Sequence, residues 1–497
     1  MLEPLDELFD VLVIGGGITG CGVARDAALR GLRVALVERE DFGSGTSGRS
    51  SRLIHGGIRY LEHGQIHLVH EAIRERQILL RIAPHLVQPL AFTWPIYRGA
   101  RVGRLKLSAG MLVYDLMAAG RSKRHAMLSA EEVVGREPGL EAKGLTGGAL
   151  YYDASTDDAR LTLANAIAAR EAGASVVNHT IVSRVDDAKN GERSVLMTNA
   201  DGVGFAARAR VVVNATGVWQ SSFRGGGGAK RAQGSKGIHI AVPRERIGNR
   251  AALTLISPID GRVMFTLPSP SQTIIGTTDT WTDESPEDVR ADAKEVDYLI
   301  DSVNAYFPAA RLTRDDVISA WAGIRPLATR TSVNPTAVSR EHIIEKDAAG
   351  TIHVTGGKLT TYRSMAAEGV DTVFRALDRR PPRSPTADTP LPGTDRNRDL
   401  EQLASANTAL GERLVSALPY TAAELVYGVR SEMARTLEDL LIRRTRIAFE
   451  TRDHGVGVAT RAAAIVAESL GWNASRQAEA VRNYSEQVAR MFAVRES

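Results

Sequence analysis

The chain has 497 residues, a formal net charge of +4 and one cysteine, with 43% hydrophobic and 24% charged residues. This length supports two or three domains with well-formed cores, and the composition is that of an ordinary soluble globular protein. The charge is too small for a dedicated nucleic-acid binder but suits an anionic substrate or membrane surface, and one cysteine excludes an internal disulfide.

The first element runs from Asp10 to Arg39. Val11-Leu12-Val13-Ile14 is an aliphatic run suited to a strand buried on both faces of a parallel sheet. Gly15, Gly17 and Gly20 follow at the G-x-G-x-x-G spacing. The first permits a tight turn, the second lets backbone approach a pyrophosphate, and the third lets the next helix pack close to the sheet. That helix begins at Ile18-Thr19, aims N–H groups at phosphate, and ends at Gly31. Residues 33–37 read as a second strand. Glu38 sits at its end, where a carboxylate accepts hydrogen bonds from an adenosine ribose. A bare glycine motif is a weak signal, but this one follows a strand, opens a helix and is completed by an acid. Cys21 reads as a small buried filler on the helix, so a reducing cytoplasm is expected. With a strand starting near residue 10, no signal peptide is expected, and no run of eighteen apolar residues offers a membrane span.

Residues 42–52 are rich in glycine and hydroxyls and lead into Leu53-Ile54-His55-Gly56-Gly57. Coming directly after the ribose position, they suit a pyrophosphate or ribityl chain. FAD, a long cofactor, accounts for both sites better than NAD. Residues 65–83 predict a helix with an apolar stripe at Ile66, Val69, Ile73, Leu79, Leu80 and Ile82, ended by Pro84 and Pro89. Residues 92–125 are basic and partly apolar. A strand is predicted at 147–152, then a helix at 159–171 capped by Asp157 or Asp158, then strands from 174 and at 209–215. Gly225 to Gly228 form a low-complexity loop. Short β-like runs at 238–242, 263–267 and 273–276, separated by Pro, Gly and Ser, predict an antiparallel sheet. A helical pattern returns at 286–306. The runs 318–325 and 352–355 follow, and Gly356-Gly357-Lys358-Leu359-Thr360-Thr361-Tyr362-Arg363 opens a helix through about residue 377. Residues 379–395 read as a linker, and the last hundred as four or five helices. No internal repeat is present.

The fold class expected is α/β plus α+β. A discontinuous Rossmann-like FAD-binding domain (1–90, 148–235 and 336–378) is interleaved with an antiparallel-sheet substrate domain (91–147 and 236–335). A linker (379–395) and a helical C-terminal domain (396–497) follow.

Six stretches besides the first strand-turn-helix carry a resemblance. They are Leu53-Ile54-His55-Gly56-Gly57-Ile58-Arg59-Tyr60-Leu61-Glu62-His63, Asp157-Asp158-Ala159-Arg160-Leu161, Asn214-Ala215-Thr216-Gly217, Gly276-Thr277-Thr278-Asp279, Gly323-Ile324-Arg325-Pro326-Leu327 and the 356–363 run. In this order they resemble the FAD-dependent glycerol-3-phosphate dehydrogenases, within the superfamily that includes D-amino-acid oxidase and glycine oxidase. The resemblance extends over residues 8–375 and continues more weakly beyond. Gly48 and Arg52 stand where Ser and Lys are expected. The resemblance implies cofactor contacts at Gly15, Gly17, Ile18, Thr19, Gly20, Glu38, Arg39, Thr46, Ser47, Leu53, His55, Gly56, Ala215, Gly217, Gly357, Lys358, Leu359 and Thr360.

Oxidising a secondary alcohol requires hydride loss from carbon and proton loss from oxygen, and flavin N5 takes the hydride. The protein must supply a base and cations for the phosphate. Arg59, Arg325 and Lys358 are the expected cations, with Tyr60 adding a hydrogen bond. Histidine suits the base because it titrates near the working pH. His55 is assigned that role and His239 a second polar role. No Cys/His spacing resembles a metal site. The implied reaction is oxidation of sn-glycerol 3-phosphate to dihydroxyacetone phosphate by non-covalent FAD, with electrons passed to a membrane quinone. An oxygen-using oxidase, an amine or amino-acid oxidase and a non-catalytic flavin carrier are the rivals, and a homodimer is kept open. A quinone partner requires membrane contact from a cytoplasmic protein. Cations at Arg98, Arg101, Arg104, Lys106, Arg121, Lys123 and Arg124 bracket the apolar run at 111–117, which suits a peripheral anionic-membrane element or a buried helix with a basic rim.

Overall fold

The computed structural model describes residues 5, 7–118, 123–222, 233–327 and 341–496, without the side chains of Arg59, Glu62, His63, Ser221, Ser222 and Gln233. The glycine loop at 225–228 and Arg121 lie outside the described residues. Leu8–Ile14 is the centre of the first sheet. It pairs in parallel with Val34–Val37 on one side and Gly204–Asn214 on the other. Ser175–Val177 and Ile352–Gly356 extend these two flanks, also in parallel. Val11, Leu12 and Val13 have no exposure, as a strand covered on both faces requires. The helices Ile18–Leu29, Asp158–Glu171 and Tyr362–Ala376 pack together on one face. Small residues on the first helix permit the close approach: a Cβ at Gly22 would stand 3.0 Å from the Tyr362 ring. Asp157 caps the second helix by accepting from Arg160 N at 2.9 Å. An antiparallel pair, Thr180–Val185 and Arg193–Asn199, widens this sheet and was not foreseen.

Among the described residues the second sheet has ten strands. The predicted β-like runs form Gln233–Pro243, Val263–Pro268 and Gln272–Gly276, paired antiparallel. Ser319–Leu327 lies along the other side of Gln233–Pro243. The structure departs from the expected boundaries here. Val87–Tyr97 and Leu145–Thr156 form one long antiparallel pair in this sheet, so the cuts at 90/91 and 147/148 fall inside strands. Pro89 and Pro95 obscured the first of these strands, because proline removes a ladder donor. Pro89 therefore lies within a strand, and the helix before it, Ile66–Ile82, has already ended.

Residues 379–395 carry no helix or strand, yet they are not a solvated linker. Leu391 is buried, its N–H donates to Ile82 O at 2.8 Å, and Arg25 Nη2 donates to Thr389 O at 2.6 Å. The segment is a strap packed on the first domain. The C-terminal region is helical, from Arg396–Ala406 to Ala474–Phe492, with a π-helical turn at Asp439–Arg444. Its core is continuous with the second sheet: Phe449 meets the Trp321 ring at 5.1 Å and the Phe492 ring at 5.0 Å.

Candidate active site

One open cavity of about 470 Å³ runs between the two sheets. Gly15, Gly17, Ile18, Thr19, Glu38 and Arg39 line one end. Gly15 turns the chain with φ +106°, and a Cβ there would stand 2.7 Å from Ala215 O. Gly17 precedes the helix start, where a Cβ would crowd Ser47 Oγ at 3.2 Å. Ser47 Oγ accepts from Ile18 N at 2.9 Å, which fixes the loop against the helix. Glu38 is buried. One carboxylate oxygen accepts from Gly16 N at 2.5 Å and the other from Glu40 N at 2.8 Å. Burial pushes this carboxyl above its ordinary range, against the pull of the two N–H donors. This cradle of bare backbone at a helix N-terminus, with a carboxylate beside it, fits a dinucleotide.

His55, Tyr60, His239, Arg325 and Lys358 line the same cavity. Arg325 Nη2 donates to Thr277 Oγ1 at 2.8 Å and to Thr278 O at 3.2 Å. Its Nη1 donates to Ser235 Oγ and Asp279 Oδ1, each at 3.3 Å. A Cβ at Gly237 would overlap the guanidinium, so glycine there makes its room. Arg262 lines the cavity beside it and donates from Nη1 to Asp279 O at 2.8 Å. Lys358 Nζ lies 4.0 Å from the centroid of the Tyr60 ring, a cation–π contact. Arg262 and Arg325 thus meet at Asp279, and Lys358 adds a third cation to the lining of the same cavity, a field suited to a dianion.

The two histidines differ in environment. The peptide of His55 is clamped by Thr360: His55 N donates to Oγ1 at 3.1 Å, and Oγ1 donates to His55 O at 3.3 Å. The His55 ring packs edge-on to Phe265 at 6.4 Å. His239 is buried, stacked 5.4 Å from Trp321, with Nε2 2.8 Å from Ser51 Oγ. Burial, aided by Arg325 and Arg52, pulls its pKa down to about 3. His239 is therefore neutral across the working range of most enzymes.

Among the predicted residues, Thr46, Leu53, Ala215, Gly217, Gly357, Leu359 and Thr360 also line the cavity. Two do not. Gly20 packs where a Cβ would overlap Gly15 O, the close-packing task read from its spacing. Gly56 turns toward Tyr114: its N–H donates to Tyr114 Oη at 3.0 Å, and a Cβ would overlap that hydroxyl. The Arg59 side chain lies outside the described residues. Gly48 is buried where a Cβ would overlap Gly43 O. The Arg52 guanidinium stacks over Phe449 at 5.0 Å, facing the C-terminal domain. Sequence reasoning missed Thr277 and Asp279 as partners of Arg325, and Arg262 as a partner of Asp279. Thr277 and Asp279 stand in the Gly276-Thr277-Thr278-Asp279 motif, which signalled importance without a role. Arg262, beside a turn glycine, carried no signal.

Comparison with known proteins identifies the family and the fold. The family model described as FAD dependent oxidoreductase matches residues 10–366, and that described as C-terminal domain of alpha-glycerophosphate oxidase matches 386–477. A glycerol-3-phosphate dehydrogenase from Synechocystis sp. is 36% identical, covering 97% of both chains. Glycerol-3-phosphate dehydrogenase 2 from Mycobacterium bovis is 37% identical, over 97% of this chain and 88% of its own. The crystal structure of the glycerol-3-phosphate dehydrogenase from Bacillus halodurans complexed with FAD superposes with a TM-score of 0.78 at 29% identity, covering 98% and 97% of the two chains.

Proposed function

The chain belongs to the family of FAD-dependent glycerol-3-phosphate dehydrogenases, and from that premise we propose how its residues oxidise sn-glycerol 3-phosphate to dihydroxyacetone phosphate. The observation that carries the reading is the gathering of Arg262, Arg325 and Lys358 with two histidines at the far end of a dinucleotide cavity. The glycine cradle and Glu38 would hold the adenosine half of FAD, and the loop at 44–47 and Lys358 to Thr360 would hold its flavin half. Bound FAD, held non-covalently, supplies a ring that accepts hydride. Arg325 offers a planar fork to the phosphate, already aimed by Thr277 and Asp279, while Arg262 and Lys358 add point charge. His55 takes the hydroxyl proton on an imidazole nitrogen, as the one of the two histidines whose ring is not buried. Neutral His239 orients the hydroxyl by a hydrogen bond.

Anaerobic mixing with glycerol 3-phosphate tests this reading. Bleaching of the flavin absorption is expected, and an unbleached flavin overturns it. The acceptor we propose is a membrane quinone. Among the described residues no helix is long and apolar enough to cross a bilayer, so contact would be peripheral. The helix Arg104–Met117 supports this. It buries Leu107, Met111 and Tyr114 but exposes Leu105, Leu112 and Leu116 at 88%, 55% and 70%. Stoichiometric hydrogen peroxide in aerobic turnover would favour the oxygen-using alternative.

A further inference from the structure

We propose that the C-terminal helical domain sets the adenosine end of the cofactor site, with Arg443 and Arg444 as positioning residues that act through Asp41. The inference rests on the reading of residues 15–38 as the dinucleotide cradle. The loop after Val34–Val37 places Glu38 and Arg39 on the cavity wall. Three residues past Glu38 it buries a carboxylate, Asp41, with no exposure. Asn178 donates to it, but its cations come from the far end of the chain. Arg444 meets it as a fork, Nη1 to Oδ2 at 2.6 Å and Nη2 to Oδ1 at 3.0 Å. Arg443 Nε donates to Oδ2 at 2.7 Å.

Both arginines are themselves held. Arg443 Nη2 donates to Asp439 Oδ1 at 2.6 Å, and Arg444 Nη2 to Glu432 O at 2.6 Å. Asp439 also lies 2.9 Å from His179 Nε2, and His179 N donates to Glu40 O at 2.7 Å. The C-terminal turn therefore holds the loop directly at the Asp41 carboxylate and indirectly, through His179, at the Glu40 carbonyl. Ligand atoms of Asp41, His179 and Asp439 lie within 4.8 Å of one another. The Arg443 guanidinium bridges the two carboxylates and supplies the positive charge that this cluster calls for.

The path from this grip to the cradle is short. Glu38 accepts from Gly16 N, and Gly43 N donates to Gly16 O at 3.0 Å. The middle glycine of the turn is thus held on both sides by a loop whose charged anchor is Asp41. Loosening Asp41 lets Glu38 and the glycine turn drift together, and the phosphate-facing N–H groups lose their aim.

The test uses the full-length holoenzyme and the deflavinated protein prepared from it. Dissociation constants are measured for FAD and for ADP, which carries only the adenosine pyrophosphate half. Arg444→Met and the isosteric Asp41→Asn are expected to weaken both ligands in parallel, by roughly tenfold or more. Arg444→Lys, which keeps charge but loses the fork, falls between. Arg170→Met serves as a control. It loses an interdomain hydrogen bond, Arg170 Nη2 to Ser431 O at 2.9 Å, that touches no cofactor loop, and its constants stay near wild type. If Arg444→Met does not fold, Asp41→Asn carries the test. Unchanged constants in a folded Asp41→Asn overturn the proposal. So does equal weakening in Arg170→Met, which would reduce the effect to domain docking in general. ADP that fails to compete with FAD on the wild type overturns the cradle reading itself, and this inference with it.

Discussion

At the scale of single residues, the site depends on charges whose neighbours are fixed before substrate arrives. Arg325 is held by Ser235, Thr277 and Asp279, yet its side chain keeps 27% exposure. Arg325→Ala is expected to cost about 2–4 kcal/mol of transition-state binding, measured as kcat/KM for glycerol 3-phosphate, with FAD retained. Arg325→Lys separates fork from charge. If its kcat/KM equals that of the wild type, bidentate pairing is not used. His55→Ala is expected to slow anaerobic flavin reduction by about 10²- to 10⁴-fold. His239 has a different signature. Its folded pKa of about 3 lies below that of the unfolded chain, near 6.5, so the unfolded chain takes the proton first. The stability it contributes is complete above about pH 6.5 and is lost as pH falls toward 3. The loss of urea resistance between pH 7 and 5 should be smaller in His239→Gln than in the wild type. An identical loss would mean that His239 is not desolvated in solution. If His239→Gln slows flavin reduction strongly and His55→Ala does not, the two roles are exchanged.

At the scale of elements, two stretches behave differently from their sequence texture. The strap at 379–395 looks like a linker because Pro and charge dominate it, but its backbone and Leu391 are committed to the first domain. The helix Arg104–Met117 is apolar on both sides. Leu107, Met111 and Tyr114 are buried, while Leu105, Leu112 and Leu116 are exposed, and Arg98, Arg101 and Lys106, close before or within the helix in sequence, are exposed too. Exposed leucines with cations close in sequence suit the headgroup boundary of an anionic bilayer. The wild type is expected to co-sediment with anionic vesicles at low salt and to release at high salt. Leu105→Ser/Leu112→Ser/Leu116→Ser should lose this binding without losing FAD, because none of the three packs in the core. Equal sedimentation of wild type and triple variant would remove this helix as the anchor.

At the scale of the whole molecule, the C-terminal helices share a core with the second sheet and buried charges with the helix Asp158–Glu171 and its cap. Arg446 reaches Asp157 and Asp158 from the C-terminal domain, and Arg160 pairs with Glu432 at 2.5 Å. Breaking a buried pair by removing one partner costs about 3–5 kcal/mol, so the C-terminal domain has no inexpensive way to undock. Calorimetry of the holoenzyme should therefore show one transition that includes the C-terminal helices. Its midpoint should rise with added FAD, by about 2.7 kcal/mol of stability at a hundredfold excess over Kd. Two resolved transitions, only one of them moved by FAD, would show that the domains unfold separately.

Local patterns in the chain were enough for the nucleotide half. The run Val11 to Ile14, the glycine spacing and Glu38 are contiguous, and the physics that links them acts over a few residues. That is why their strand, turn and helix stand where the sequence puts them. The amphipathic helix Ile66–Ile82 and the capped helix Asp158–Glu171 were legible for the same reason. Motifs also marked Arg325 and Lys358 as important. What they touch was decided only by tertiary structure, since Thr277 and Asp279 reach Arg325, and Arg262 reaches Asp279, across strand pairings whose register no local pattern specifies. The strand Val87–Tyr97 was hidden for a related reason: its prolines argue against a strand locally, and only a long partner strand outweighs them. The task of the C-terminal helices was the least legible of all. It resides in arginines 402 and 403 positions away from the carboxylate they hold, a separation over which charge pairing leaves no pattern in the chain.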